Sequence, residues 1–362
     1  MKSYRIDVLA GDGIGVEVTS AALKVLTAAA SKFGFGVNYQ EYDWGSDYFF
    51  RNGRMMPVNA LETLSGADAI LLGAVGHPDI PDHVTLHGML LPIRRGFDQY
   101  VNLRPAVLYD GVESPLRGYP PREIDMVVVR ENTEGEYAPV GGFVHHHHSH
   151  EVAVQTAVFT RHGCERVIRY AFELARKRDR KKRVTSITKS NAQAYGMVLW
   201  DRIFLAVAKE FPDIETESLL VDAAAMNFVR RPESFDVVVA SNLFGDILSD
   251  LSAIVTGSIG LAASANLDPT RKYPSLFEPV HGSAPDIAGR GIANPLAAIL
   301  SVAALLEHLG EMQAAKAVDS AVRRVLAAGE VRTPDLGGKS TTVEVQQAVV
   351  DALEASASGD QH

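Results

Sequence analysis

The stretch "DVVVASNLFGDILSDL", residues 236–251, joins a short apolar run to an amphipathic pattern. Its first part, "DVVVAS" (236–241), is rich in β-branched residues, as is typical of a strand buried on both faces. The period then changes to that of a helix over 242–256. The apolar residues at helical spacing are Phe244, Ile247, Leu248, Leu251 and Val255. A strand followed directly by a helix is the unit from which parallel α/β sheets are built.

Two carboxylates, Asp246 and Asp250, stand four residues apart in this helix, which places both on one face. A like-charge pair at this spacing costs roughly 0.2–0.5 kcal/mol. Two explanations are open at this point. The side chains lie off the apolar stripe and are simply solvated, or a divalent cation offsets their repulsion.

Similar short apolar runs recur along the chain and predict further buried strands. They are "YRIDVL" (4–9), "AILLGAV" (69–75), "MVVVR" (126–130), "VTSIT" (184–188) and "ESLLV" (217–221). Helical patterns follow several of them, notably over 16–34 and 191–210. This alternation predicts an α/β architecture with a largely parallel sheet.

Two neighbouring segments depart from that alternation. Residues 151–160 alternate in polarity without a preceding crossover helix, which predicts an antiparallel excursion. The preceding "HHHHSH" (145–150) raises the question of a metal site. Because the run specifies no regular ligand geometry, we interpret it as a solvated loop.

Composition narrows the class of protein. Of 362 residues, 46% are hydrophobic and 22% are charged, which is typical of a globular protein with two domains or one large one. A net charge of −9 argues against broad binding to nucleic acid or to an anionic membrane. Cys164 is the one cysteine, so no disulfide forms within the chain, as expected in the cytoplasm. The apolar run 295–309 is too short to span a bilayer and predicts a buried helix.

The glycine-rich "AGDGIG" (10–15) follows the first predicted strand, where a nucleotide-binding loop would stand. It does not fit the dinucleotide fingerprint, because the spacing is wrong and position 16 is Val. A tight turn from strand to helix explains the glycines equally well.

Arginines mark candidate sites for an anionic substrate. Arg94, Arg104 and Arg130 lie within or after apolar segments, and Arg130 ends the predicted strand 126–130. Ligands of open α/β sheets bind at the carboxyl ends of strands. Arginine binds carboxylates in a bidentate manner. Each arginine alone is typical of a surface, but three that converge predict a small substrate with more than one carboxylate.

Proton-transfer groups and a further carboxylate stand at similar positions. Tyr137 follows the strand 126–130, and Lys189 ends the strand 184–188. Either side chain exchanges protons near neutral pH if burial shifts its pKa, although each is more often structural. Asp222 follows "ESLLV" and is a candidate third carboxylate for a Mg²⁺ or Mn²⁺ site.

The long Gly/Pro-rich segment 278–295 lies between two apolar segments, and long irregular loops are often functional. His281, Gly282 and Ser283 offer stacking area and donors to a phosphate or adenine. Asp286 could accept both hydroxyls of a ribose and would repel a 2′-phosphate.

In this order, the motifs resemble those of the β-decarboxylating dehydrogenases, which include the isocitrate, 3-isopropylmalate, homoisocitrate and tartrate/D-malate dehydrogenases. The resemblance extends from "GDGIG" (11–15) to "TPDLGG" (333–338). "SNLFGDILSDL" (241–251) and "FEPVHGSAPDIAG" (277–289) are its most specific parts. It implies an isopropylmalate/isocitrate dehydrogenase-like α/β fold, not a Rossmann fold, with a large mostly parallel sheet and flanking helices.

The resemblance also implies two interleaved domains and a homodimer. Residues 1–100 plus 256–362 would form the cofactor-side domain. Residues 101–255 would form the substrate, metal and dimer-interface domain, with an arm near 138–160 exchanged between subunits. The implied partners are a small dicarboxylate and a second copy of the chain, with no nucleic acid and no membrane.

Roles are carried over where the residues match the family. They are substrate binding for Arg94, Arg104 and Arg130, metal binding for Asp246, Asp250 and the neighbouring subunit's Asp222, proton transfer for Tyr137 and the neighbouring subunit's Lys189, and binding of the cofactor's adenosine half for His281, Gly282, Ser283, Ala284, Asp286 and Asn294. The implied cofactor is NAD, because Asp286–Ile287 matches the NAD-using members. The implied metal is Mg²⁺ or Mn²⁺, and a need for a monovalent cation such as K⁺ is open.

The choice of substrate depends on the residues that precede Arg94. Leu90 and its apolar neighbours suit a hydrogen or an alkyl group on the substrate's third carbon, not a third carboxylate. The segments 81–88 and 97–105 resemble the tartrate/D-malate members, whereas Leu90 resembles the residue that 3-isopropylmalate enzymes place against the isopropyl group. Both substrates therefore stay open. A metal-dependent hydrolase using the same carboxylates is the alternative from another class, but it leaves the loop 281–286 unexplained.

Overall fold

The computed structural model describes residues 2–355, and within them ten strands form one sheet while two further strands form a separate hairpin. The strands are β1 (Ser3–Gly11), β2 (Gly36–Glu41), β3 (Ala69–Ala74), β4 (Val101–Val107), β5 (Asp125–Glu131), β6 (Gly141–Val144), β7 (Val152–Gln155), β8 (Arg183–Thr188), β9 (Glu215–Leu220), β10 (Val237–Ala240), β11 (Ala263–Leu267) and β12 (Ser275–Pro279). Each of the strands predicted from an apolar run is thereby confirmed.

Helices flank the sheet. They are α1 (Gly15–Phe33), α2 (Ser46–Asn52), α3 (Ala60–Leu64), α4 (Asp82–Thr85), α5 (Leu91–Gly96), α6 (Arg161–Arg178), α7 (Gly196–Ala208), α8 (Val221–Arg230), α9 (Asn242–Val255), α10 (Leu296–Leu309), α11 (Met312–Ala328) and α12 (Thr342–Ala355). A π-helical turn over Leu86–Leu90 joins α4 to α5. Most of α10 is buried, as its apolar run predicts, and no helix among residues 2–355 is both long and apolar enough to cross a membrane.

The large sheet has the strand order β2-β1-β3-β12-β11-β4-β5-β10-β8-β9. Pairing is parallel from β2 to β12 and from β5 to β9, and antiparallel at the three pairs between β12 and β5. The four strands at one end therefore run opposite to the four at the other. The mostly parallel sheet is confirmed, with an antiparallel centre that sequence patterns did not predict.

Strands from the two sequence regions occupy different halves of this sheet. Strands from 1–100 and 256–362 extend from β2 to β11, and strands from 101–255 extend from β4 to β9. One large apolar core continues through both halves, while a smaller one surrounds Leu9, Trp44 and Met89. The two-domain division at these bounds stays a prediction.

The hairpin of β6 and β7 projects from the chain with every residue of both strands exposed. The predicted antiparallel excursion is confirmed for 152–155, although 156–160 is irregular apart from one bridge between Val158 and Gly135. The histidines of 145–150 are exposed at its tip, as a solvated loop predicts. Within the described part of the chain, no group of three or more His, Cys, Asp or Glu side chains is arranged to hold a metal ion.

Helix α9 approaches β5 closely because residue 245 is glycine. A Cβ at Gly245 would lie 2.6 Å from Cγ of Arg130. The predicted apolar stripe of α9 is only partly correct, since Phe244 and Leu248 are buried whereas Ile247 is 57% exposed. Only one of the two apolar sides of this helix packs against its own chain.

The glycine loop that follows β1 contacts the segment 281–286. Gly13 has φ +56°, and an added Cβ would lie 2.1 Å from the carbonyl oxygen of Ser283. The same carbonyl accepts a hydrogen bond of 2.8 Å from the backbone N–H of Ile14. Part of the glycine pattern at 10–15 thus reflects a close backbone approach that a side chain would block.

Replacement of Gly13 by alanine is expected to lower the free energy of unfolding by roughly 2–4 kcal/mol, because strain at positive φ adds to a displaced hydrogen bond. Urea denaturation at fixed protein concentration measures this loss. Gly53→Ala is the matched control, since Gly53 has φ +70° but no atom within 4 Å of an added Cβ. Equal losses in the two variants would mean that the contact with Ser283 contributes nothing.

Candidate active site

The three predicted substrate arginines converge, and all three are buried. Strands β4 and β5 pair antiparallel with Asn102 opposite Arg130 and Arg104 opposite Val128. Residues opposite each other share a face, so Arg104 and Arg130 lie on the same side of the sheet. Arg94 reaches this region from α5. The strand register therefore assembles guanidiniums that lie far apart in sequence.

Arg130 is fixed by the first turn and a half of α9. Its Nε and Nη2 donate to Oδ1 of Asn242 at 3.1 and 2.7 Å, and its Nη1 donates to Oδ1 of Asp246 at 2.5 Å. The ring of Tyr137 lies 5.2 Å from its guanidinium carbon. A buried guanidinium needs such partners, because an unpaired buried charge costs several kcal/mol.

Arg104 lies between the two aspartates of α9. Its Nη1 is 3.2 Å from Oδ1 of Asp246, 3.3 Å from Oδ1 of Asp250 and 2.8 Å from Oγ of Ser249. The like-charge pair is therefore compensated by a cation of the same chain. Simple solvation is the wrong explanation for Asp246, whose side chain is only 33% exposed. Asp250 is more accessible, at 56%.

These contacts shift the pKa values of the cluster in different directions. Burial opposes ionisation of Asp246, but Arg130 and Arg104 outweigh it and lower the pKa of that carboxyl. Burial, with a contribution from Asp246, raises the pKa of Asp250 against the opposing effect of Arg104. Burial and the neighbouring Arg130 lower the pKa of Arg104 to about 10. The carboxylate of Asp246 and the guanidinium of Arg104 are therefore charged at neutral pH.

Tyr137 joins the same cluster. Its hydroxyl donates to Oδ2 of Asp246 at 2.8 Å, and Arg95 donates to its carbonyl oxygen at 2.5 Å. Burial and the Asp246 carboxylate raise the pKa of the phenol, so it is protonated at neutral pH. A protonated phenol beside a substrate-sized cluster of cations can act as a general acid.

Arg94 enters a buried polar network that the sequence did not reveal. Its Nη2 donates to Oε1 of Glu278 at 3.0 Å, and that oxygen also accepts from Asn266 at 2.7 Å. Oδ1 of Asn266 in turn accepts from Asn102 and Asn132 at 3.0 and 2.9 Å. Among residues 2–355, side-chain oxygens of Asn102 and Asn132 and Nε of Arg94 have no partner. Asn102, Asn266 and Glu278 lie on the same face of β4, β11 and β12. They meet because the three strands are adjacent in the sheet, which the sequence did not predict.

Two glutamates that the sequence did not single out fix the loop between Arg130 and Tyr137. Glu131 accepts from the backbone N–H groups of Thr133 and Glu134. Its burial raises the pKa of this carboxyl to about 7, despite those hydrogen bonds. Glu136 accepts from Ser241 and from the backbone N–H of Leu243, which ties the loop to the start of α9. The sequence shows both glutamates in "RENTEGEY", but it does not show that Glu131 is buried.

Lys189 and Asp222 are not part of this cluster in one chain. Nζ of Lys189 lies 2.5 Å from Oδ1 of Asp222, and neither side chain has a described contact with the arginines or with Asp246. Leu90 ends the π-helical turn and packs, half-buried, against the smaller core. The predicted roles of Lys189, Asp222 and Leu90 therefore stay predictions. The structure brings together the other polar residues predicted for the substrate and metal site, which are Arg94, Arg104, Arg130, Tyr137, Asp246 and Asp250.

The predicted cofactor loop has free polar groups. Burial lowers the pKa of His281, so its imidazole is neutral, and Nε2 is buried without a partner within the described residues. Asp286 is exposed and makes no ion pair or side-chain hydrogen bond in that part of the chain. Asn294 differs, because its amide donates to Asp335 at 3.0 Å and accepts from the backbone of Leu296 at 3.0 Å. An unpartnered imidazole and a free carboxylate fit a cofactor with hydroxyls.

The donor set of α9 fits a hard divalent cation. Oxygens of Asp246 and Asp250 converge on one nitrogen of Arg104, and such carboxylates suit Mg²⁺ or Mn²⁺. One chain supplies only two such carboxylates, since residues 2–355 contain no arranged group of three. Further ligands must come from substrate, water or another chain.

The fold and this site define a class of protein with known members. The sequence model of the isocitrate/isopropylmalate dehydrogenase family matches residues 5–352, and the chain belongs to this family. It is 51% identical to a probable tartrate dehydrogenase/decarboxylase of Agrobacterium vitis, over 98% of this chain and 99% of that protein. It is 51% identical to the D-malate dehydrogenase (decarboxylating) of Escherichia coli K12, over 96% and 98% of the two chains.

A solved structure supports the same assignment of fold. The crystal structure of isocitrate dehydrogenase from Methylococcus capsulatus superposes with a TM-score of 0.87 at 38% identity, covering 97% of this chain and 99% of that one. The predicted isopropylmalate/isocitrate dehydrogenase-like fold is thereby confirmed.

Charge balance in the cluster predicts cooperative binding of metal and substrate. Arg94, Arg104 and Arg130 already pair with Glu278, Asp246 and Asp250. A dianion alone, or a dication alone, would leave two charges uncompensated in a largely buried site, whereas both together preserve neutrality. We expect saturating D-malate to lower the apparent Kd of Mn²⁺ at least about tenfold.

Isothermal titration of the metal-free protein with Mn²⁺, with and without D-malate, measures this coupling in the absence of cofactor. Asp246→Asn keeps the side-chain size but removes one carboxylate charge, and it should weaken Mn²⁺ binding both with and without D-malate. Equal Mn²⁺ affinity with and without D-malate in the wild type would contradict the prediction.

Proposed function

We propose that this chain oxidises a small 2-hydroxy dicarboxylic acid, tartrate or D-malate, with NAD and a divalent cation, with or without loss of CO₂. The observation that carries the proposal is the convergence of Arg94, Arg104 and Arg130 around Asp246 and Tyr137. Three buried guanidiniums provide more donors than one carboxylate can use, which favours a substrate with two. Relatives that are about half identical over nearly their whole length carry names for this chemistry.

The arginines bind and orient the substrate. Each already donates to a carboxylate of the protein, so a substrate carboxylate would replace an existing partner without a need to desolvate the cation anew. This preorganisation favours one orientation of the hydroxyl-bearing carbon. The carboxylates released from Arg104 and Arg130 are those of Asp246 and Asp250, which would then hold the metal.

A divalent cation held there supplies a Lewis acid that lowers the pKa of the substrate's hydroxyl. A bound NAD⁺ would accept the hydride of the carbinol carbon. The hydroxyl proton would pass to a base, a role that the family resemblance gives to Lys189. If CO₂ departs from the resulting 2-keto acid, Tyr137 protonates the enol carbon, for which its raised pKa keeps a proton available. The loop 281–286 would hold the adenosine half of NAD.

Within this class of substrates, 3-isopropylmalate is the second candidate. Leu90 favours it, because it is an apolar residue at the end of the π-helical turn, four residues before Arg94. The names of the relatives favour tartrate and D-malate. A difference of one or two methylenes changes binding by only about 1–3 kcal/mol, so acceptance of several substrates is expected.

We further propose that the active unit is a homodimer. Large apolar side chains are exposed on α8 and α9, which pack against each other, and also on α7 and on the hairpin, which is costly unless another surface covers them. They are Val198 and Leu205 of α7, Met226 and Val229 of α8, Ile247 and Ile254 of α9, and Val140, Phe143, Val144, Val152 and Val154 of the hairpin region. Lys189 and Asp222, which do not reach the cluster of their own chain, would complete the site of the partner.

The substrate assay follows NADH formation with Mn²⁺ and NAD⁺ on D-malate, the tartrate isomers, 3-isopropylmalate and isocitrate, with CO₂ release measured in parallel. We expect the highest kcat/KM for D-malate or a tartrate isomer. Tyr137→Phe should lower kcat and the rate of CO₂ release and leave KM nearly unchanged, because the substitution removes a proton donor and not a binding charge. A higher kcat/KM for 3-isopropylmalate would favour the second candidate, and no reduction of NAD⁺ on any substrate would refute the proposal.

Mixed dimers test whether Lys189 acts in the partner's site. Lys189→Met and Asp246→Asn homodimers should each be inactive. If the two residues act in one site across the dimer, each heterodimer has one intact site, and a random mixture regains about a quarter of wild-type activity. If Lys189 acts within its own chain, no heterodimer contains an intact site and the mixture stays inactive.

A further inference from the structure

Strand β4 has a second face that is open to solvent although the strand is central in the sheet. Asn102 and Arg104 are buried on the catalytic face, whereas Pro105 is exposed on the other. Alternate residues of a strand point to opposite faces, so Leu103, Pro105 and Val107 share this second face. Leu103 and Val107 are half-buried, so this face of a central strand is only partly covered.

The opening results from a gap in the helical layer. On this face α6 packs against β5 and β10, and α10 packs against β11 and β12, while neither covers β4. The gap is a cavity of about 760 Å³, floored by the central strands and walled by α6, α10 and α11. Sites for small organic molecules have volumes of roughly 300–1,000 Å³.

The cavity is separate from the catalytic cluster. The register that places Asn102 opposite Asn266 puts Leu103 opposite Ala265, and Ala265 opposite Phe277. Leu103, Ala265 and Phe277 line the cavity, while Asn102 and Asn266 belong to the polar network behind Arg94. The sheet therefore lies between the two sites.

The cavity has an apolar floor, and among its charged lining residues more cations than anions are unpaired. Most of its ions pair with each other: Arg178 with Asp125, Lys177 with Glu307, and Arg323 with Asp319. Two lining cations, Arg271 and Lys316, make no ion pair and no side-chain hydrogen bond within residues 2–355, against one such anion, Glu173. A free positive charge at this surface contrasts with the net charge of −9 of the whole chain.

We propose that this cavity binds a small organic anion with an apolar body. The body would cover Pro105 and pack beside the half-buried Leu103, Tyr170 and Ala304, which removes apolar surface from water. The anionic group would pair with Arg271 and Lys316, the cations that the protein leaves without a partner.

The probe is anilinonaphthalene sulfonate, an aromatic anion whose fluorescence rises in apolar surroundings. We expect saturable binding to the native, full-length protein that neither NAD⁺ nor D-malate displaces, because the sheet separates the cavity from the catalytic face. Displacement by NAD⁺ would place the probe in the cofactor site and overturn the proposal.

Two variants test the two halves of the proposal. Ala304→Trp fills the cavity from α10 and should weaken probe binding at least about tenfold. The double reversal Arg271→Glu/Lys316→Glu should weaken it about tenfold as well. Its matched control is Arg117→Glu/Lys24→Glu, the same change of charge at exposed, unpaired residues outside the cavity, which should leave binding within about twofold.

Circular dichroism and thermal melting check that each variant is folded, and Ala304→Leu gives the same test if the tryptophan variant is not. Unchanged binding in the folded filling variant would show that the probe lies elsewhere and would refute the site. Loss of binding in the filling variant, with none in the charge reversal, would refute the preference for an anion.

Discussion

The buried guanidinium of Arg130, held between Asn242 and Asp246, is the interaction on which the rest of the site depends. A cation buried this deeply would cost several kcal/mol without partners, so the start of α9 must lie against the end of β5. Gly245 permits that approach, because any Cβ would collide with Arg130. Because this contact fixes the position of α9 against β5, it also places Asp246 within hydrogen-bonding distance of Tyr137 and Arg104. One ion pair thus sets the position of Tyr137, the two carboxylates and a second guanidinium.

The same electrostatics explain why two aspartates share a helix face. In the protein alone, arginines compensate them, and in a complex with dianion and dication the partners can be exchanged without a change in net charge. The cluster therefore holds paired opposite charges in fixed positions before any ligand binds. Such preorganisation reduces the free-energy cost of binding polar ligands at a buried site. The asymmetry between Asp246, whose pKa is lowered, and Asp250, whose pKa is raised, follows from the number of guanidiniums that each contacts.

The central strands separate two environments by simple alternation. One face of β4 and β11 carries Asn102, Arg104 and Asn266 into the polar network, and the other carries Leu103 and Ala265 into an apolar cavity. The antiparallel joint at these strands is also where the two sequence regions of the chain meet. On the cavity face α6 and α10 pack on the strands to either side of β4, so neither helix covers β4 itself.

Local patterns were sufficient for much of this protein. The period of apolar residues determined the strands and helices, and the motifs around residues 241–251 and 277–289 determined the family, because both signals are carried by neighbours in the chain. Other features depended on the tertiary structure. Arg104 lies 142 residues from its partner Asp246 in the sequence. The burial of Glu131 depends on the elements that surround it. Ile247 fits an apolar stripe in the sequence, but only the structure shows that its side chain is exposed. Such contacts join residues distant in sequence, and a sequence pattern records which side chains are present but not which of them meet.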